Sequence, residues 1–169
     1  MPVMAVVGTI NRFPPPGPDW TVIHCDLSDR GVWNIDRGVS MPVDHVCDMR
    51  HLPFADASID RVQSWHALEH VNQQGGRDTI IEFRRVLMPG GILDLRVPNL
   101  GILAGPDIEK RLPLIYGEQG TMPDSHLNAH QWGYTRRSLQ RLLDEHGFAC
   151  EQWPHPEHDD ELHVIARRP

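Results

Sequence analysis

Three polar groups in this sequence stand where chemistry could be done. Asp26 closes the apolar run from Thr21, Asp48 closes the run from Asp44, and Ser64-Trp65-His66 closes the run that starts at Asp60. If each run is a buried strand, these groups lie at strand carboxyl ends, where an open α/β sheet binds its ligands. An ionised carboxylate at such a place is a strong acceptor for paired hydroxyls. The stretch from Val46 to Val71 carries most of this and is the centre of the reading.

The histidines need a separate account. His66-Ala67-Leu68-Glu69-His70 fits the H-x-x-E-H pattern in which two histidines on one helical face share a zinc ion. No third ligand is evident on a following helix, so no metal is expected here. Glu69 and His70 are read instead as pairing with backbone or neighbours at a helix start, and His66, nearest the strand end, as facing a ligand. His126 and His130 repeat the i, i+4 spacing beside Asp124, Asn128 and Trp132, but eleven histidines in the chain make chance pairs common. That segment reads as a polar lid.

The elements that must position these groups follow from punctuation and period. Val3 to Val7 before Gly8 is a strand buried on both faces. Pro14, Pro15, Pro16 and Pro18 with Gly17 leave no room for a helix, so a loop makes the first crossover. Thr21 to Cys25 is the second strand. After a polar, turn-prone stretch from Ser28 to Pro42, Asp44 to Cys47 is a short third. Asp60 to Ser64 is the fourth, followed by a helix to about Asn72, where Gln73-Gln74-Gly75-Gly76 interrupts. A second helix runs from Arg77 to Pro89-Gly90-Gly91, and Ile92 to Val97 is the next strand, ending at Pro98-Asn99. Gly101 to Trp132 reads as an insertion or lid with a short helix near 107–116. Thr135 caps a helix with Leu139, Leu142 and Leu143 on one face, and Gly147 takes the left-handed position after it. Phe148 to Trp153 and Leu162 to Arg167 close the chain as an antiparallel pair, with Asp159-Asp160-Glu161 in a solvated loop between them. The class is α/β: a Rossmann-like, doubly wound sheet, mostly parallel, with an antiparallel edge hairpin and no first crossover helix. No second domain is expected within residues 1–169.

Composition narrows the partners. Sixteen basic against 23 acidic residues give a formal charge of −7, which offers no uniform attraction for a phosphate backbone and makes nucleic acid an unlikely partner. Cys25, Cys47 and Cys150 lack CxxC spacing and read as reduced thiols. With no signal-peptide pattern and no apolar run of membrane-spanning length, a cytoplasmic protein is expected. An oligomer is left open.

Three blocks, taken together, carry a resemblance. Asp48-Met49-Arg50-His51-Leu52-Pro53-Phe54 with Ser58-Ile59-Asp60, His66-Ala67-Leu68-Glu69-His70-Val71, and Arg85-Val86-Leu87-Met88-Pro89-Gly90-Gly91 resemble class I S-adenosylmethionine-dependent methyltransferases, most of all a short bacterial group. The later blocks His130-Gln131-Trp132-Gly133-Tyr134-Thr135 and Glu161-Leu162-His163-Val164 match too, so similarity covers roughly residues 20 to 168. The resemblance implies that Asp26 accepts from the ribose hydroxyls and that Asp48 and Met49 flank the adenine. It also implies that Ser64, Trp65 and His66 line the cofactor near its sulfonium, facing the acceptor, with Gly8 at the first loop. The departure is at that loop, where Gly8 is followed by Thr9-Ile10-Asn11-Arg12 instead of a second close glycine, so side chains crowd the approach.

Two functions are weighed on this basis. One is methyl transfer from S-adenosylmethionine to oxygen or nitrogen of a small molecule or glycan, driven mainly by proximity and alignment. For a hydroxyl acceptor, His130 is the first choice to take the proton, its ordinary pKa lying near working pH. The other is a methyltransferase-like binding or assembly module with a degenerate cofactor loop.

Overall fold

The computed structural model describes residues 2–7, 21–26, 32–33, 41–42, 44–102, 112, 115–117, 129–154 and 160–169. Gly8 and the segment 9–19, read as a loop, lie outside these residues, as does most of the segment 101–132 and of the short helix expected near 107–116. An interior strand is β1, Val3–Val7, five apolar residues of which four are buried. It pairs in parallel with β2, Thr21–Asp26, on one side and β6, Ile59–Trp65, on the other. β2 carries the short β5, His45–Val46, and β6 carries β7, Leu87–Pro98, both parallel. β9, Glu161–Arg167, and β8, Ala149–Gln152, complete the sheet as the expected antiparallel edge, giving the order β5-β2-β1-β6-β7-β9-β8. Within the stretch read as merely turn-prone, β3, Val32–Trp33, and β4, Met41–Pro42, pair as a separate antiparallel ribbon.

Among the described residues, two long helices lie against this sheet. α1, Gln73–Val86, buries Ile80, Phe83 and Val86, and α2, Arg136–Glu145, buries Leu139 and Leu143. They touch each other, so they share one face. Leu93, Leu95 and Val97 of β7 and Leu162, Val164 and Ala166 of β9 join them in one cluster, each side chain fully buried or nearly so. At about 1.5 to 3 kcal/mol for each large apolar side chain, this cluster dominates the stability of the sheet's helical side. The alternate positions of the same strands include Asp94, Arg96, Glu161 and His163. Asp94 on that other face accepts from Trp65 Nε1 at 2.9 Å, meets His163 Nε2 at 2.9 Å, and is ion-paired to Arg61.

Three local expectations are corrected. The helix read after Trp65 is only a 3₁₀ turn, Leu68–His70, because His66 takes a left-handed φ of 50° that swings the chain off the strand. Gln73-Gln74-Gly75-Gly76, read as an interruption, is the first turn of α1: Asn72 caps it by accepting from Gly75 N at 2.8 Å. Pro89-Gly90-Gly91 does not stop a helix short of a strand but lies inside β7, where Gly90, at φ 82°, donates to the Arg168 carbonyl. The C-terminal expectations hold: Thr135 and Ser138 form a reciprocal capping box, and Gly147 has φ 75°. Among the described residues no helix is long and apolar enough to cross a membrane.

Candidate active site at the strand ends

Register fixes the floor of the site. Val7 is level with Cys25 and with Ser64, and Asp26 is level with Val46. The carboxyl ends of four parallel strands therefore finish together, and Asp48 follows β5 by two residues while Trp65 and His66 follow Ser64.

Asp48 is exposed and held by Arg50. The guanidinium reaches both carboxylate oxygens, with Nε at 2.9 and 3.0 Å and Nη2 at 2.5 Å, and the Arg50 backbone N–H donates to Oδ1 at 2.9 Å. The side-chain hydrogen bonds from Arg50 are the main reason its pKa falls below the ordinary value. Asp48 is thus a turn cap and a strand-end acceptor at once. Met49 beside it is buried in the core cluster. Ser64 is fully buried, and its Oγ has no hydrogen-bond partner among the described residues. The Trp65 indole is fixed by Asp94 below and by the Arg96 guanidinium 3.5 Å above its ring.

His66 bridges two carboxylates. Its Nε2 is 2.8 Å from Glu161 Oε1 and its Nδ1 is 3.5 Å from Glu69 Oε1. Burial disfavours the charged ring, but the two acids outweigh it and push the pKa up to about 10. Glu161 itself was expected in a solvated loop. It instead opens β9, largely buried, with Arg96 3.7 Å from its other oxygen. The alternation Leu162, Val164, Ala166 already implies that a strand begins there, and that was the signal to follow.

Glu69 is the residue that sequence reasoning set aside. Only 2% exposed, it has neither carboxylate oxygen hydrogen-bonded among the described residues. His70 Nε2 and His130 Nε2 each stand 4.0 Å from its Oε1. His130 arrives there because the backbone N–H groups of Gln131 and Trp132 donate to the Glu69 carbonyl at 2.7 and 3.2 Å. Burial pulls the His70 pKa down, while burial and then the Glu69 charge push that of Tyr134 up. The Tyr134 hydroxyl sits so close to α1 that a Cβ on Gly76 would come within 2.5 Å of it, which is why glycine is needed in the first turn. The structure therefore brings together Asp48, Met49, Ser64, Trp65 and His66 at the strand ends, with His130 beside Glu69. Gly8 and the Asp26 side chain lie outside what it describes.

No curated protein matches the chain by sequence. Among solved structures, a SAM-dependent methyltransferase from Methanosarcina mazei superposes with a TM-score of 0.61 at 19% identity, covering 88% of this chain and 82% of that one. A putative methyltransferase from Bacillus halodurans gives 0.60 at 16% identity, covering 99% and 92%. The 1,6-didemethyltoxoflavin-N1-methyltransferase of Burkholderia thailandensis, crystallised with 1,6-didemethyltoxoflavin and S-adenosylhomocysteine, gives 0.62 at 16%, covering 98% and 70%. At these identities the likeness is one of fold, and the α/β architecture is theirs. The family model described as "Methyltransferase domain" matches residues 10–95, just over half of the chain. The chain belongs to that methyltransferase domain family, the class I S-adenosylmethionine-dependent methyltransferases to which its motif blocks point.

Proposed function

We propose that this chain transfers the methyl group of S-adenosylmethionine to an oxygen or nitrogen of a small molecule or glycan, at the carboxyl ends of β1, β2, β5 and β6. The observation that carries the reading is the common level of those strand ends, with Asp48 and then Ser64, Trp65 and His66 just beyond them. The described part of the cleft fits the cofactor. Ser64 offers a buried hydroxyl with no partner among the described residues, and Asp48 an exposed acceptor carboxylate. When bound, the cofactor supplies an electrophilic methyl group on a sulfonium.

The chain's own residues would do the rest. Asp26, the last residue of β2, accepts from the ribose hydroxyls. Asp48 and Met49 flank the adenine, with the adenine amine sharing or displacing Arg50. Gly8 lies at the loop after β1. Ser64, Trp65 and His66 line the side toward the acceptor. His66 has both ring nitrogens turned to carboxylates, so it positions rather than takes a proton. His130 stands against Glu69 and His70. Residues 1–169 form one domain on this reading, with 101–132 as a lid tied down at its end by the two hydrogen bonds to the Glu69 carbonyl.

The second reading, a binding module with a degenerate cofactor loop, draws support from Arg50 occupying both Asp48 oxygens. Calorimetric titration with S-adenosylhomocysteine separates the two. Saturable one-to-one binding supports the enzyme, and no heat at millimolar ligand supports the module. In a binding protein, Asp26→Ala should weaken affinity by about 1 to 3 kcal/mol, the scale for stripping a hydroxyl pair of its charged acceptor. Unchanged affinity in a folded variant would remove Asp26 from the ribose site.

A further inference from the structure

Glu69 poses a problem of charge. A carboxylate taken out of water costs several kcal/mol unless a cation or a set of donors meets it. Among the described residues neither oxygen has a hydrogen bond. Of the three imidazoles around it, His66 is shared, its Nδ1 standing 3.5 Å from Glu69 Oε1 while its Nε2 meets Glu161 at 2.8 Å. The other two, His70 and His130, lie edge to face with ring centroids 5.0 Å apart. One ligand atom from each of Glu69, His70 and His130 lies within 4.8 Å of the other two.

We propose that Glu69, His70 and His130 hold a divalent transition-metal ion of the zinc or cobalt kind. Two imidazole nitrogens and one carboxylate oxygen are a donor set for such ions, whereas magnesium and calcium favour oxygen alone. Donors around a tetrahedral zinc stand about 3.4 Å apart, so the three close by about an ångström through side-chain rotation. The backbone that carries them is already fixed. Glu69 and His70 share the 3₁₀ turn, and the Gln131 and Trp132 N–H groups bind the His130 segment to it. His130 N–H also donates to the Tyr116 carbonyl at 3.1 Å. The H-x-x-E-H pattern is thus used differently from a zinc protease helix: its first histidine turns to Glu161, and the third ligand comes from a segment sixty residues on. A centre with three protein ligands keeps a position open. Resting on the methyltransferase reading, that position would take an oxygen of the acceptor.

The test is a titration of chelator-treated protein with Zn²⁺ and, separately, with Co²⁺, whose absorption reports imidazole ligation, with Mg²⁺ as control. One Zn²⁺ or Co²⁺ per chain is expected, with a Kd of about 1 μM or tighter, and no comparable Mg²⁺ binding. Glu69→Gln and His130→Asn should each weaken Zn²⁺ binding at least tenfold and abolish the rise in Tm that the ion gives the parent. Glu69→Gln keeps the shape and removes a buried charge, so the metal-depleted variant should melt no lower than the metal-depleted parent. That separates a lost ligand from a lost fold. Absence of Zn²⁺ binding, or binding unchanged by both variants, would overturn the site. The S-adenosylhomocysteine titration is run on chelated protein, so the two readings fail independently.

Discussion

Two buried glutamates, thirteen residues apart, show opposite solutions to the same problem. Glu82, on α1, is 8% exposed and fully met. It accepts from the Leu52 N–H at 2.6 Å and from Arg85 Nε and Nη2 at 2.8 and 2.7 Å. Arg85 reaches on to the carbonyls of Phe54 and Leu52 and to Asp56, so the Leu52–Asp56 loop is clamped to the helix. Glu69 is more deeply buried and surrounded by imidazoles at 3.5 to 4.0 Å with no hydrogen bond formed among the described residues. A carboxylate that holds a loop has its donors built in. One that receives a ligand keeps its lone pairs for it. On the proposed metal site, the contrast separates a structural carboxylate from a ligand-binding one.

The largest expected effect breaks the structural side. Glu82→Ala leaves the Leu52 N–H and part of Arg85 without an acceptor, and should cost about 2 to 3 kcal/mol in urea unfolding, at the lower part of the range for buried pairs because Arg85 is one-third exposed. Glu69→Gln in metal-depleted protein should cost nothing comparable. Equal losses at both positions would mean that Glu69 is as structural as Glu82.

Sequence reasoning reached the satisfied half more easily than the other. Val3–Val7 announces itself as an apolar run, the strands read at Thr21 to Cys25 and Asp60 to Ser64 lie within Thr21–Asp26 and Ile59–Trp65, and Thr135 with Gly147 brackets α2. It also put Asp48, Met49, Ser64, Trp65 and His66 at strand ends. It misjudged Gly75 and Gly76: a Cβ on Gly75 would meet Val71, four residues back, and one on Gly76 the distant Tyr134 hydroxyl, each at under 3 Å. Local propensity treats such glycines as breakers, whereas the packing requires them inside the helix. Glu69 was passed over for the same kind of reason. Its burial and its neighbour His130 come from a contact across sixty residues that no period or cap encodes.

A smaller effect sharpens the comparison through pH. Burial raises the Glu82 pKa, but the Arg85 hydrogen bonds and the Leu52 N–H outweigh it and hold it below its ordinary 4.5. Asp94 behaves alike: burial raises it, while His163, Trp65 and Arg61 bring it below 3.8. A depressed folded-state pKa contributes stability that is full above the unfolded value and is lost as pH falls through the folded one. Parent stability should therefore fall below about pH 4.5, and less steeply in Glu82→Gln, the two curves converging toward acid. Parallel curves down to pH 2.5 would show that Glu82 stays ionised or contributes no linkage.

The smallest effect concerns a third acid, intermediate between the two. Asp48 is exposed like a ligand-binding group yet paired like a structural one, since Arg50 holds both its oxygens. An exposed ion pair is worth no more than about 1 kcal/mol, so the adenine amine can compete for the carboxylate at modest cost. Two substitutions should then move cofactor affinity in opposite directions. Asp48→Ala removes the acceptor and weakens S-adenosylhomocysteine binding, whereas Arg50→Ala releases the acceptor and tightens it, each by about two- to fivefold. Weakening by both would show that Arg50 touches the ligand and that the pair acts as one unit. No change in either would remove Asp48 from the cofactor site and leave it as the cap of its own turn, on the structural side of the comparison with Glu82.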